Sequence, residues 1–390
     1  MRKLLAKALH RTAFRLMNRI YRRLLRLQSR KVVFFSDVRE TLGGNLEYIY
    51  NYLDGALYEK VTIFKRTRGS QWSFLEKFEA VYHLSTAKYI LLDDFSTLIS
   101  LMQPRKGQKI CQVWHGSGAY KKFGFSRTDN RSTHRAKWTQ HRNYTNILVS
   151  SSAVIDCYIE GFGAQRETIK ATGTPRTDLF FNEDQMAENR QSFYQDYPEL
   201  VGKKIILFAP TYRGRSIPSA TYDYDSIDFL KLYRELHDQG YVFIFKWHPA
   251  IYNIIGDSLS SQLASFGDFF YDLSSRRDIN DLLLVADILI TDYSSVIFDY
   301  ALLGKPIIYY DYDLYSYLTA RGLYYDLMDY IYGPIVMNTN DLIKVITNPE
   351  VHETERNLFI EKFMGACDGH STANACDWIF SDHHGRNGNQ

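Results

Sequence analysis

The sequence predicts an α/β protein of two halves, each a parallel sheet covered by helices on both faces. Three observations predict it. Short runs rich in Val, Ile, Phe and Tyr recur along the chain with helical stretches between them, the pattern of parallel strands buried on both faces. The 390 residues exceed one ordinary core and suit two domains of roughly 150–180 residues each. Hydrophobic residues at 45% and charged residues at 23% are globular values and exclude wholesale disorder. Four Cys, at 111, 157, 367 and 376, lie far apart without a CxxC. They exclude a disulfide framework or a Cys-based zinc site and suit a reducing compartment. There is no apolar run of about 18 residues, so no spanning helix is expected.

The first element is a basic arm. Residues 1–31 carry 11 Lys/Arg and no Asp/Glu, leaving 36 basic against 44 acidic side chains in the body. At about 100° per residue, Leu5, Leu9, Leu16, Ile20, Leu24 and Leu27 gather on one side. Lys7, Arg11, Arg15, Arg19, Arg22 and Arg26 gather on the other. Such a helix suits an anionic lipid surface. It lacks the apolar core of a secretory signal; a tertiary helix with a solvated face and an organellar presequence are the alternatives. Nucleic acid is not an expected partner, because the body lacks a basic platform with interleaved aromatics. The expected domains are 1–30, 31–190, 191–365 and a C-terminal helix with a polar tail, 366–390.

In the first half, strands are expected at 31–36, 61–64, 89–92, 109–113, 147–150 and 169–171, with a helix over 46–53. Gly43-Gly44 permits close approach between strand and helix. The strand at 109–113 ends in Trp114-His115-Gly116-Ser117-Gly118, which sets an imidazole at a carboxyl edge, where open α/β sheets bind ligands. A catalytic role for His115 is expected over a structural one. A basic stretch follows, with Lys121, Lys122, Arg127, Arg131, Arg135, Lys137 and Arg142 against Asp129. It reads as a solvated loop or as a landing surface for a phosphate-bearing acceptor. Arg176, beside the Gly173–Pro175 turn, is a candidate clamp for phosphate or carboxylate.

In the second half, a strand at 203–209 runs into Pro210-Thr211-Tyr212-Arg213-Gly214. Another at 241–246 ends in Lys246-Trp247-His248-Pro249, a second His at a strand end. Two such His could face one another across a cleft. A strand at 287–291 is followed by Asp292, by Ser294 and Ser295 at the start of a helix over 295–303, and by a strand at 306–310. A helix start favours an anion; simple N-capping is the plainer reading of one Ser. Asp299 lies one turn on from Ser295. The triplets Asp223-Tyr224-Asp225 and Asp311-Tyr312-Asp313 are weak metal signals.

Taken together, the strings WHGSGAYKKFG (114–124), TGTPRTD (172–178), LFAPTYRG (207–214), FKWHP (245–249) and ADILITDYSSVIFDYALLGKPIIYYDYD (286–313) are recognisable. RGLYYD (321–326) and YGP (332–334) continue the pattern. Over about 30–380 the chain resembles the CDP-glycerol glycerophosphotransferases, the teichoic-acid primases and polymerases. The resemblance implies a GT-B architecture: two Rossmann-like domains facing a central cleft, with the nucleotide mainly on the second. It implies attachment to the inner membrane face through basic N-terminal elements. It implies that His115 is the general base and that His248 stabilises the diphosphate. Ser294, Ser295 and Asp299 match ligand-contacting positions, and Arg176, Pro210 and Thr211 match others near the nucleotide. Gly116, Ser117, Lys246, Trp247 and Asp292 complete the expected substrate site. Where the family usually has Thr-Pro after WHG, this chain has Ser117-Gly118, which is expected to loosen the turn.

The expected reaction moves glycerol phosphate from CDP-glycerol to a hydroxyl of a membrane-linked acceptor, a lipid-linked saccharide or polyol phosphate, and releases CMP. It serves teichoic-acid or related capsular polymer synthesis. A CDP-ribitol donor and a GT-B glycosyltransferase using a nucleotide sugar are the alternatives, with a non-catalytic membrane scaffold as a third. A neutral hydrogen-bonding cradle can hold the diphosphate, so no cofactor and no obligatory divalent ion are expected.

Overall fold

The computed structural model describes residues 2–64, 73–127, 141–213, 220–248, 251–252, 263–276, 278–311, 313, 322–326 and 328–384. The chain forms two compact units. One comprises Met1–Ala119, Phe123–Asp178 and Gly365–Gln390; the other comprises Tyr120–Lys122 and Leu179–Met364. The sequence places a change of domain at 190/191 and sets 366–390 apart. In the structure the chain leaves the first unit at Asp178 and returns to it at Gly365.

In the first unit, β1 (Gln28–Ser36), β2 (Glu59–Phe64), β3 (Ala87–Leu92), β4 (Lys109–Gln112), β5 (Asn146–Val149) and β6 (Ile169–Ala171) make one sheet in the order β2-β1-β3-β4-β5-β6. Every neighbouring pair is parallel. Val32, Val33, Phe34 and Phe35 of β1 are all fully buried. That explains a continuous apolar run where a half-exposed strand would alternate. The strand order reverses between β1 and β3, so the loops after those strands flank a crevice-forming switch point.

The last helix, Ser371–His384, closes this unit. It gives Ala375, Cys376, Ile379 and Phe380 to the core of β1, β3 and β4. The Asp178 carboxylate accepts from the Ser371 and Thr372 N–H groups, both at 2.8 Å, a negative charge at a helix start. Gly173, with φ +83°, lies beneath this return; a Cβ there would stand 2.2 Å from Ser371 Oγ and 2.4 Å from the Ala366 carbonyl. Part of the 172–178 string is therefore explained by packing.

In the second unit, β7 (Lys204–Phe208), β8 (Tyr241–Phe245), β9 (Phe270–Asp272), β10 (Ile288–Thr291), β11 (Ile307–Tyr310) and β12 (Ile335–Val336) lie in the order β12-β11-β10-β7-β8-β9. All neighbouring pairs are parallel. The order reverses between β7 and β10, the Rossmann arrangement. The two shortest strands, β9 and β12, are at the sheet edges and are absent from the sequence expectation, because so few residues carry no periodic signal.

The basic arm forms a helix, Arg2–Leu24, which packs on the helix Phe74–Thr86. The inward face differs from the expected apolar side. Phe14 and Asn18 are buried, and the Tyr21 ring meets Tyr82 edge-on at 5.9 Å. Asn18 donates to Ser85 Oγ at 2.8 Å and accepts from the Gln103 N–H at 3.1 Å. Leu16, Ile20 and Leu24 are instead 54%, 42% and 76% exposed, beside exposed Arg15, Arg19 and Arg23. The side chains of residues 2–10, and so Leu5, Lys7 and Leu9, lie outside the described residues.

Candidate active site

The first unit's candidate residues gather at its switch point. Ser36 ends β1, and Asp93 and Asp94 follow β3. Arg39 Nε bonds the buried Asp93 carboxylate at 2.7 Å, a cross-loop tie 54 residues apart in sequence. Burial raises the Asp93 carboxyl above its usual range despite that arginine.

The chain leaves β4 through an unusual turn. Trp114 has φ +54°, sparsely allowed for a bulky residue and typical of functional turns. Gln112 Oε1 accepts the Trp114 N–H at 3.0 Å. Asn45 Nδ2 donates to the Val113 and Trp114 carbonyls at 3.0 and 2.9 Å. His115 then projects outward with its side chain 47% exposed, and its Nδ1 lies 3.9 Å from the Asp94 carboxylate. Its ring lies against Trp114 at 4.4 Å. Nδ1 is 3.1 Å from the Asp93 carbonyl oxygen. A carbonyl only accepts, so Nδ1 carries a hydrogen, and of the two neutral tautomers this is the one with its lone pair on Nε2. This is the tautomer a general base requires.

Gly116 lies in the same turn, and Ser117 is buried. The turn is not loosened as the sequence suggests: the Gly118 N–H bonds Ser150 Oγ at 2.8 Å and its carbonyl accepts from Tyr158 Oη at 3.2 Å. Arg176 lies behind the turn. Its N–H bonds Asn45 Oδ1 at 3.1 Å, and its guanidinium donates to the His115 carbonyl. It braces the His115 turn.

The second unit's candidates flank its own switch point. Pro210 and Thr211 follow β7; Asp292, Ser294 and Ser295 follow β10. The Thr211 N–H donates to Asp292 Oδ1 at 2.8 Å, which joins the two loops. Arg213, which no local sequence pattern marks out, is the centre of this edge. Its guanidinium binds Asp292 Oδ2 at 2.7 Å and grips both oxygens of Asp313, at 2.6 and 2.7 Å. It also donates to the Thr211 carbonyl at 2.7 Å. Of the Asp311-x-Asp313 triplet, Asp313 thus serves an arginine, and no group of three metal-ligating side chains occurs among the described residues. The conjunction of an arginine after one strand with acids after two others is the signal that could have found it.

Helix Val296–Ala301 is shorter than expected, and Ser295 makes no capping bond. Ser294 Oγ meets the Val296 N–H at 3.5 Å. Ser295 is exposed, a few residues past the end of β10. Asp299 is buried. After β8, Lys246 donates to the Ser274 carbonyl at 3.1 Å and to the Arg276 carbonyl. Trp247 is buried, with its N–H on Ser274 Oγ at 2.8 Å. Both hold the turn from behind. His248 is exposed, with its ring 4.7 Å from Tyr212. Arg131, Arg135, Lys137 and Asp129 of the basic stretch lie outside the described residues, as do Gly214, Pro249 and Tyr312.

The model of the CDP-glycerol:poly(glycerophosphate) glycerophosphotransferase family matches residues 16–381. The chain belongs to this family. It is 41% identical, over 92% of its length, to the teichoic acid poly(ribitol-phosphate) polymerase of Bacillus spizizenii, of which it spans 57%. It is 32% identical to the teichoic acid ribitol-phosphate primase of the same organism, over 97% of this chain and 96% of that one. Relatives named for glycerol phosphate match at 28–33% identity. The wall teichoic acid polymerase TagF shares the fold, with a TM-score of 0.79 over 99% of both chains at 22% identity. As in that GT-B-like family member, the architecture is two parallel α/β units. Within the family's motifs the structure separates two sorts of residue. His115, His248 and Ser295 are exposed at strand ends, whereas Arg176, Lys246, Trp247 and Arg213 brace the turns that carry them.

Proposed function

We propose that this protein is a CDP-polyol phosphotransferase of teichoic-acid synthesis. The acceptor is a hydroxyl of a lipid-linked saccharide or polyol phosphate. That oxygen attacks the β-phosphorus of the donor, a new O–P bond forms, and the bond from that phosphorus to the bridging oxygen breaks, so that CMP leaves. The hydroxyl proton goes to Nε2 of His115. His248, Thr211, Ser294 and Ser295 hold the charge developing on the diphosphate, and positioning supplies most of the acceleration. The observation that carries this reading is the Nδ1 contact with the Asp93 carbonyl, which leaves Nε2 as the base.

CDP-ribitol is the favoured donor, because relatives at 38–41% identity are named for ribitol phosphate. CDP-glycerol is the second reading, supported by the family description. No helix among the described residues is long and apolar enough to cross a membrane. Attachment to an anionic membrane surface through the N-terminal helix is part of the proposal, supported by its exposed Leu16–Ile20–Leu24 ridge among arginines.

The test offers CDP-ribitol and CDP-glycerol separately with a lipid-linked acceptor and measures CMP and product mass. CMP release from a CDP-polyol is expected, with His115→Ala slower by at least about 100-fold. Near-normal turnover by the folded variant removes the base assignment. Release of UDP or GDP from a nucleotide sugar replaces the reading with a glycosyltransferase.

A further inference from the structure

The basic stretch after His115 reads in sequence as one acceptor-side loop. The structure divides it. Residues Tyr120–Lys122 belong to the second unit. Lys121 forms an antiparallel bridge with Leu323. The Lys122 N–H donates to the Gly322 carbonyl at 3.2 Å, and the Tyr324 N–H donates to the Tyr120 carbonyl at 3.0 Å. Tyr120 is buried, its ring edge-on to Phe298 at 6.4 Å. Phe298 belongs to the helix that follows Ser294 and Ser295.

Lys121 therefore starts from fixed backbone. Its ammonium lies 3.2 Å from Thr211 Oγ1. Thr211 follows β7, and its N–H holds Asp292 of the loop after β10. The ammonium thus stands at the switch point of the second sheet, where ligands of such folds lie. An ammonium beside a hydroxyl, whose own O–H can turn toward the same oxygen, is a phosphate-binding pair.

We propose that Lys121 is a donor-binding residue that contacts the diphosphate of the nucleotide from the second unit. The proposal rests on the nucleotide-donor reading above and names a contact within it.

The test is calorimetric titration of the full chain with cytidine, CMP and CDP, for the wild type, Lys121→Gln and Lys121→Arg. The glutamine variant should lose about tenfold or more in CDP affinity, the scale of one charge-assisted contact, with cytidine affinity and melting temperature unchanged. The arginine variant should keep most of the CDP affinity. Equal weakening toward cytidine and CDP, or unchanged CDP binding, overturns the assignment while leaving the donor reading intact. A wild type that prefers uridine ligands overturns the CDP reading alone, and Lys121 is then judged by the same ratio on UDP and uridine. A wild type that binds no pyrimidine nucleotide overturns both. Should Lys121→Gln not fold, Lys121→Met serves the same comparison.

Discussion

Asp311 follows β11 with no exposed surface. Neither of its carboxylate oxygens has a hydrogen-bond partner among the described residues. Burial first, and Asp292 next, push its pKa up to about 8, while Arg213 pulls it down and Asp313 adds to the rise. The folded protein thus keeps a proton that the unfolded chain releases near pH 4. Stability from this group is full below that point and falls as pH rises through about 4 to 8. Asp311→Asn keeps the neutral shape and removes the fall. Its melting temperature should match the wild type near pH 4 and exceed it by about 2–4 °C or more at pH 8. Equal melting temperatures at pH 8 would speak against a buried neutral acid. His115 and His248 were legible in the sequence, because each follows a buried strand within three residues. The Arg39–Asp93 and Arg213–Asp313 pairs were not: their partners are 54 and 100 residues apart, and no local pattern records which loops meet.

The N-terminal helix shows what periodicity leaves undecided. Its sequence reveals which residues share a face, but not which face the rest of the protein covers. Phe14, Asn18 and Tyr21 lie on the covered side, because Tyr82, Ser85 and Gln103 offer a ring and polar partners there. Leu16, Ile20 and Leu24 lie on the outer side. Replacing these three by Ser should cut partition onto anionic vesicles by about tenfold or more and leave the melting temperature unchanged. Phe14→Ala should do the reverse, lowering stability by about 3 kcal/mol with vesicle binding retained. Unchanged partition of the triple variant, measured by sedimentation with vesicles, refutes anchoring through this ridge. The helix after Ser295 makes the same point at smaller scale. The sequence extends it to 303, but its regular part ends at Ala301, with single-turn bonds carrying the chain to Gly304.

At the scale of the whole molecule, the first unit is completed by the end of the chain. Phe380 is buried between Tyr58 and Tyr89, with ring centroids at 5.0 and 4.6 Å. Phe380→Ala should destabilise that unit by about 3–5 kcal/mol, read as a lower first transition in calorimetry. An unshifted transition would show that the last helix is not part of this core. The amino-acid order alone determined the number of sheets, most of their strands and the turns that bear His115, His248 and Ser295. Those follow from short-range rules, since an apolar run must be buried and a polar turn must leave the sheet. Tertiary structure alone decided that Arg213 gathers the acids of two other loops, that Lys121 joins the second unit, and that residues 365–384 return to the first. Each of these depends on which strand ends become neighbours, and that is set by strand order and core packing over separations no local window spans.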